Sequence, residues 1–271
     1  MRARNQLVIA GLLIIAMCSG KAFSQTLSSD SLLDKTGREV SAYLEQISDV
    51  RCTEHVEQLK LDAKGHSQYH QEATYDYLVF LDGSGDQLLL NESRLPLGHS
   101  RQAPSSVSML ISNGFSDLFL IFHPYYRNGF QFIREPDEVI SGQKTAVVAF
   151  RHLEGRRTPA AIAVRGRQYP LDLTGLAWID PSTGMVIRIH AEIGKDMSDV
   201  GLRSLKADVY YAPVQLPGWE SNFRLPSEAV IDVETLRQRW RNVHEFTKYQ
   251  RFSVDTQVAI SKDIHSKDPN P

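Results

Sequence analysis

The chain has 271 residues, of which 42% are hydrophobic and 23% charged, and its formal net charge at pH 7 is −2. A mildly acidic chain is poor at neutralising phosphates, and this argues against general nucleic-acid binding. The sequence contains no linker rich in Pro, Gly or Ser and no repeat of roughly 20–50 residues, which excludes propellers and solenoids and favours one domain.

The N-terminal residues have the pattern of a cleavable secretory signal. Arg2 and Arg4 precede an apolar run at 7–17. Ala22 and Ser24 are small residues at positions −3 and −1 of a cleavage site before Gln25. The apolar run is too short for a membrane anchor, which takes roughly 20 residues. We therefore predict that the first 24 residues are a signal peptide and that the protein is exported to a bacterial periplasm.

Cleavage before Gln25 removes three basic residues and no acidic ones, so the net charge changes from −2 to −5. One cysteine, Cys52, remains and excludes an internal disulfide; we expect it to be a small buried hydrophobe at a strand start. An alternative to simple cleavage is lipidation of Cys18, although Met17 is bulky where a lipid-attachment motif has a small residue.

The first predicted element of the mature chain is an amphipathic helix at 31–48. Leu33, Val40 and Leu44 recur at helical spacing, while Asp34 and its polar neighbours lie on the other face. This pattern places the helix on a surface, with one stripe packed inward.

The rest of the chain alternates apolar and polar residues in runs separated by turn residues. These runs predict strands at 50–61, 68–81, 87–95, 130–134, 144–153, 171–180, 185–193, 205–214, 227–235 and 242–254. The clearest hairpin turns at 180–184, where Asp180 and Gly184 fit a type I turn with a bulge. In its second arm we expect Ile187 and Ile189 to face one way and Val186 the other. Short turns throughout favour an antiparallel meander of about ten or eleven strands.

A different pattern occupies residues 113–132, NGFSDLFLIFHPYYRNGFQF. Phe115, Phe119 and Phe122 lie on one face of a helix, and the opposite face is also apolar. A helix without a polar face must be enclosed on every side, and Pro124 prevents it from continuing past His123. We therefore predict an α+β, mainly β fold: a strongly curled antiparallel sheet, a half-barrel, wrapped around this short apolar helix.

The end of this helix supplies candidate ligand-binding residues. The candidates are Phe115, Phe119, Phe122, Tyr125, Tyr126 and Arg127. The aromatic rings suit the apolar part of an amphiphile, and the guanidinium suits an anionic head. The alternative is that the aromatic residues are core and that Arg127 caps the helix C-terminus.

A local excess of arginine lies between residues 151 and 167, where Glu154 is the single acidic residue. Arg156, Arg157, Arg165 and Arg167 form a positive flap that suits contact with an anionic lipid surface. The alternative is a solvated loop whose arginines pair with the protein's own carboxylates.

A search for catalytic and cofactor motifs is negative, so we predict no enzyme activity and no cofactor. The nucleophile elbow, the phosphate-binding loop and the dinucleotide fingerprint are all missing. His66, His70 and Glu72 share one strand face but are spread too far along it, so only a partner strand could complete a metal site. We expect solvated strand histidines and no metal.

The hairpin sequence GLAWIDPSTGMVIRI, residues 175–189, is similar to the late hairpin of the periplasmic lipoprotein-carrier family (LolA/LolB-like). The order of signal peptide, amphipathic helix, strands, apolar helix and further strands also resembles that family. The resemblance implies a ligand held between the central helix and a concave sheet. The chain departs from the family pattern at 50–61, which lacks a Gly-x-Phe strand, and at 154–171, which has no counterpart. No individual binding residue is carried over.

These observations favour a secreted periplasmic protein that binds a hydrophobic or lipidated ligand, with its domain at 25–260 and a disordered tail at 261–271. The alternative function is a non-catalytic envelope interaction or sensory module whose cavity is filled by its own side chains.

Overall fold

A computed structural model of the protein describes residues 21–47, 50–82, 89–98, 118–164, 167–217 and 223–251. Phe115, Arg165, the predicted tail and most of the predicted signal peptide lie outside these ranges.

The N-terminal helix α1 (Lys21–Ile47) is longer than the sequence pattern predicts, since it begins ten residues before residue 31. Its buried stripe includes Leu33, Val40, Tyr43 and Leu44, which confirms the predicted amphipathic packing. None of the helices in the described ranges is long and apolar enough to cross a membrane.

Thirteen strands make up most of the rest of the described chain. They are β1 (Val50–Leu61), β2 (Ser67–Asp82), β3 (Leu89–Pro96), β4 (Phe130–Arg134), β5 (Glu138–Ile140), β6 (Gln143–His152), β7 (Ala161–Val164), β8 (Arg167–Pro170), β9 (Leu173–Ile179), β10 (Val186–Ile193), β11 (Leu202–Val214), β12 (Phe223–Thr235) and β13 (Arg239–Arg251). Eleven form one sheet in the order β3-β2-β1-β13-β12-β11-β10-β9-β6-β4, with β5 paired to β6. Every pairing is antiparallel, as predicted, and the fold is mainly β with few helices.

Three strands were missed by the sequence pattern. β5 has only three residues, which is too short for an alternation to be recognised. β7 and β8 form a separate two-stranded hairpin within the predicted arginine-rich flap. The flap is therefore partly ordered as β-structure rather than being a simple loop.

The hairpin of β9 and β10 turns as predicted, with Gly184 at a φ of 84° and its N–H donating to the Asp180 carbonyl at 2.7 Å. The predicted facing of β10 is wrong at its start. The register shifts between Val186 and Arg188, so Ile187 is an extra residue in a bulge. Val186 therefore joins Ile189 in the main core, instead of facing away from it.

The central apolar segment differs from the predicted α-helix. Leu118–Phe122 is a 3₁₀ helix, referred to below as the central 3₁₀ helix, and Pro124–Arg127 begins a separate α-helical turn, α2. Pro124 cannot donate a backbone hydrogen bond, but its fixed φ suits the first position of a new helix. His123 caps α2, since its Nδ1 accepts from the N–H of Tyr125 at 3.2 Å. The predicted enclosure is confirmed, because all five residues of the central 3₁₀ helix are buried.

The main core lies between one face of the sheet, called the inner face below, and the helices. A Cβ added at Gly37 of α1 would lie 3.1 Å from the Phe122 carbonyl oxygen. A glycine in mid-helix is costly on propensity grounds, so its presence here is explained by this close approach of α1 to the central 3₁₀ helix.

Candidate functional site

A small cavity of about 40 Å³ lies where α1, the central 3₁₀ helix and the sheet meet. We call it the Phe119 pocket; its apolar lining includes Val40, Tyr43, Phe119, Val186, Tyr211 and Phe223. Ligand pockets usually have about 300–1,000 Å³, whereas a single water needs only about 10–15 Å³ on this measure. The pocket as it stands therefore has room for only a few water-sized groups, and a larger ligand requires the helices to move away from the sheet.

Aromatic rings from different elements form the wall of the Phe119 pocket. The ring of Phe119 meets Tyr43 of α1 edge-on at 4.9 Å and Tyr211 of β11 at 5.9 Å. Tyr43 also lies 5.9 Å from Phe223 of β12. Such edge-to-face contacts are favourable, so a guest that separates these rings must replace them with contacts of its own.

Two charged residues, Glu39 and Arg224, also line the Phe119 pocket. Arg224 is held in place because it donates to the carbonyl of Tyr211 and to Oε1 of Gln143, each at 3.1 Å. An apolar pocket with one acidic and one basic side chain at its edge is chemically suited to an apolar ligand that carries a polar group.

The structure places the predicted ligand-binding residues in three different surroundings. Phe119 lines the pocket, whereas Phe122 is fully buried and stacks on Phe132 at 5.4 Å. Tyr125 and Tyr126 pack against one another at 4.8 Å on α2.

Arg127 lies in the last turn of α2, as the capping alternative expects, and pairs with Asp34 of α1. Its partner is therefore the protein's own carboxylate in this structure. Phe115 lies outside the described residues.

The predicted flap is tied to the helices through Arg157, whose guanidinium lies 4.5 Å above the Tyr125 ring. Arg156 and Arg167 are exposed. Arg151 donates to Gln131 at 2.7 Å on the neighbouring strand.

A second site on the inner face is polar, and it was not predicted from the sequence. Glu54 of β1 has no exposed side-chain surface and accepts from Arg94 of β3 in two hydrogen bonds, at 2.5 and 2.9 Å. His244 of β13 contacts the same carboxylate through Nδ1 at 2.8 Å. Glu92 adds a second carboxylate 2.9 Å from Arg94. This buried ion cluster joins strands β1, β3 and β13.

The protonation of Glu54 is set by two opposing effects. Burial raises the pKa of its carboxyl group, but the hydrogen bonds from His244 and Arg94 outweigh burial and hold that pKa below its ordinary value. Glu54 is therefore ionised at neutral pH, and its charge is balanced locally.

Cys52 behaves as the sequence predicts. It is buried at the start of β1, with 2% of its surface exposed, and burial raises its pKa to about 12. A thiol that stays protonated is a poor nucleophile, so Cys52 is a packing residue rather than a reactive one.

The sequence matches no family model and no curated protein. Among solved structures, a DUF1329 family protein from Desulfovibrio piger has a TM-score of 0.45 at 10% identity, covering 84% of this chain and 94% of its own. A putative outer membrane lipoprotein-sorting protein domain from Vibrio parahaemolyticus has 0.42 at 12%, covering 85% and 95%. A LolA superfamily protein from Nitrosomonas europaea has 0.38 at 11%, covering 83% and 93%.

Its structural neighbours thus include LolA-like proteins. The Nitrosomonas europaea neighbour belongs to the same family that the hairpin at residues 175–189 resembles in sequence. At this identity and these TM-scores the likeness assigns no ligand, so the function has to be argued from the residues of this chain.

Proposed function

We propose that the protein is a non-enzymatic, periplasmic binding protein that holds a hydrophobic or lipidated ligand between the segment 118–127 and the inner face of its sheet, which curls as a half-barrel. The Phe119 pocket carries this proposal. It is apolar, lies at the junction of helix and sheet, and contains one of the predicted ligand-binding residues.

The helices together form a cover over the Phe119 pocket. Asp34 and Arg127 join α1 to α2, and Gly37 lets α1 lie directly against the central 3₁₀ helix. A polar link between this cover and the sheet is the hydrogen bond from Lys35 to the Ser182 carbonyl, which is exposed. Exposed polar contacts are weak, so little polar interaction is lost when the cover moves away from the sheet. The main cost is the exposure of apolar surface, which an apolar ligand would bury again.

A function of another class is supported by a different observation. Ile121 and Phe122 have no exposed surface, so this part of the interior is filled by the protein's own side chains. If the whole interior stays filled, the protein is an envelope interaction or sensory module, and its partners bind outside the sheet.

Native mass spectrometry of protein purified from its own cell envelope separates the two functions. For the binding protein we expect the native mass to exceed the mass of the denatured polypeptide by that of a bound amphiphile, which organic extraction removes. A native mass equal to that of the polypeptide in every preparation would favour the self-filled module.

We also propose that Arg156, Arg157, Arg165 and Arg167 bring the flap to an anionic membrane surface. Arg156 and Arg167 are exposed. Arg157 contacts Tyr125 of α2, so the flap lies directly against the helical cover. Each basic side chain near an anionic membrane contributes about 1 kcal/mol.

Replacing Arg156 and Arg167 with Gln should weaken binding to vesicles rich in phosphatidylglycerol by roughly tenfold or more, measured by co-sedimentation at low salt. In the matched control, Gln replaces Arg203 and Arg237, two exposed arginines outside the flap. The control variant and the flap variant therefore have the same net charge. Equal weakening by both pairs would mean that net charge, not the flap, governs binding.

A further inference from the structure

Two glutamates face each other across the hairpin of β1 and β2. Glu57 and Glu72 are directly opposite in the register, and both lie on the outer face, the face of the sheet away from the helices. Like charges in directly opposed positions destabilise a strand pair. A cation between the two carboxylates would therefore stabilise this strand pair.

A histidine nitrogen lies at that position. Nε2 of His70 is 3.0 Å from Oε1 of Glu57 and 3.3 Å from Oε1 of Glu72. One ligand atom from each of the three residues lies within 4.8 Å of the other two. In a tetrahedral zinc site with bonds of about 2.0–2.1 Å, neighbouring ligand atoms are about 3.3 Å apart, so these separations need little adjustment to enclose an ion.

We propose that Glu57, His70 and Glu72 bind a divalent transition-metal ion of zinc-like chemistry on the outer face of the β1–β2 hairpin. Two carboxylate oxygens and one imidazole nitrogen are ligands that zinc accepts, whereas calcium and magnesium prefer oxygen alone. The three side chains are between 39% and 56% exposed, so an ion can reach them from solvent.

His55 lies beside this cluster. Its Nε2 lies 3.9 Å from Oε2 of Glu72, and its Nδ1 lies 3.2 Å from the Thr74 hydroxyl.

The surrounding charges also favour a cation. Glu245 of β13 is opposite His55, and Glu228 of β12 is opposite Glu245, so the acidic surface continues across two more strands. Within the described ranges, the basic groups within 4.0 Å of the Glu57 and Glu72 carboxylates are imidazoles, not lysine or arginine. A bound ion would supply the compensation that ammonium and guanidinium groups provide elsewhere in the sheet.

The sequence alone favours solvated histidines and no metal at His66, His70 and Glu72, because only a partner strand could complete a site. That strand is β1, which contributes Glu57. His66 is outside the cluster, since its Nδ1 lies 3.3 Å from Asp62 in the turn.

The test is calorimetric titration of the metal-free mature protein with zinc chloride, with cobalt absorption as an independent readout of ligand geometry. We expect about one zinc ion per chain, and at least roughly tenfold weaker binding after His70→Ala or Glu72→Gln. His66→Ala is the matched control and should bind as wild type does. Circular dichroism confirms that the variants, whose changes are exposed, remain folded.

Three results would overturn the proposal. The first is wild-type protein that takes up no zinc at about 100 μM free zinc, which would occupy most of any site with a Kd of about 10 μM or lower. The second is equal affinity in wild type and His70→Ala. The third is displacement of the zinc by a modest excess of calcium, which imidazole-containing sites should resist.

Discussion

Replacing Glu54 with Ala is expected to lower the free energy of unfolding by about 3–5 kcal/mol, because removing one partner breaks a buried ion pair. Arg94 would lose both hydrogen bonds to the carboxylate, and His244 would lose its contact through Nδ1. Urea unfolding at pH 7, followed by circular dichroism, measures the loss. The matched control is Glu245→Ala on the outer face, which should change stability by about 0.5 kcal/mol at most.

The lowered pKa of Glu54 predicts how the free energy of unfolding depends on pH. Because the pKa of Glu54 is lowered on folding, its contribution is fully present above the unfolded-state pKa of about 4.3 and is lost as the pH falls through the lower folded-state value. Glu54→Gln, which cannot ionise, should therefore lose less stability than wild type when the pH is lowered through this window. If the free energy of unfolding fell equally with pH in wild type and Glu54→Gln, the claim that Glu54 is ionised in the folded protein would be wrong.

Replacing Phe122 with Ala is expected to cost about 3–5 kcal/mol, as is usual for a well-packed phenylalanine. Phe122 has no exposed surface and stacks on Phe132 away from the pocket. Phe119 is the matched comparison, since it lies in the same 3₁₀ helix but lines the pocket. If that pocket opens to admit a ligand, Phe119→Ala should cost clearly less, about 1–2 kcal/mol.

Equilibrium unfolding of both variants under identical conditions decides between the two functions. A difference of about 2 kcal/mol between the variants supports a loosely packed binding surface at Phe119. Equal, core-sized losses would mean that the central 3₁₀ helix is a plug and that the interior is permanently filled.

The positions of strands and turns could be predicted wherever the alternation of apolar and polar residues, or the residue types of a turn, determine the local structure. β1 has the predicted bounds, and the turn from Asp180 to Gly184 has the predicted geometry because Asp, Pro and Gly set it without help from distant residues. The bulge at Ile187 was not predictable in this way, since an extra residue in one strand is defined only by its pairing with the other.

The central segment shows where periodicity misleads. A run that is apolar on all sides has no face to distinguish an α-helix from a tighter turn, so Leu118–Phe122 could form a 3₁₀ helix without altering the pattern. The enclosure was predictable from apolarity alone, but the helix type depends on contacts with α1 that lie far away in sequence.

The buried ion cluster was missed because its members are far apart in the chain, with Glu54 separated from His244 by 190 residues. A signal was nevertheless present. Glu54 stands between Cys52 and Val56 at inward-facing positions of β1, and a carboxylate in a row of buried residues requires a partner. The identity of that partner depends on strand order, which the sequence did not specify.

The central claim, that the interior admits an apolar ligand beside Phe119, is tested most directly by titrating the mature protein with an apolar fluorescent probe. Wild type should bind the probe at about micromolar concentration while fully folded, and Val40→Phe, which fills the pocket from α1, should weaken binding by roughly tenfold or more. Near-ultraviolet circular dichroism confirms that both proteins are folded. Wild-type protein that binds no probe, or a Val40→Phe variant that binds it as tightly as wild type, would contradict a ligand site at this position.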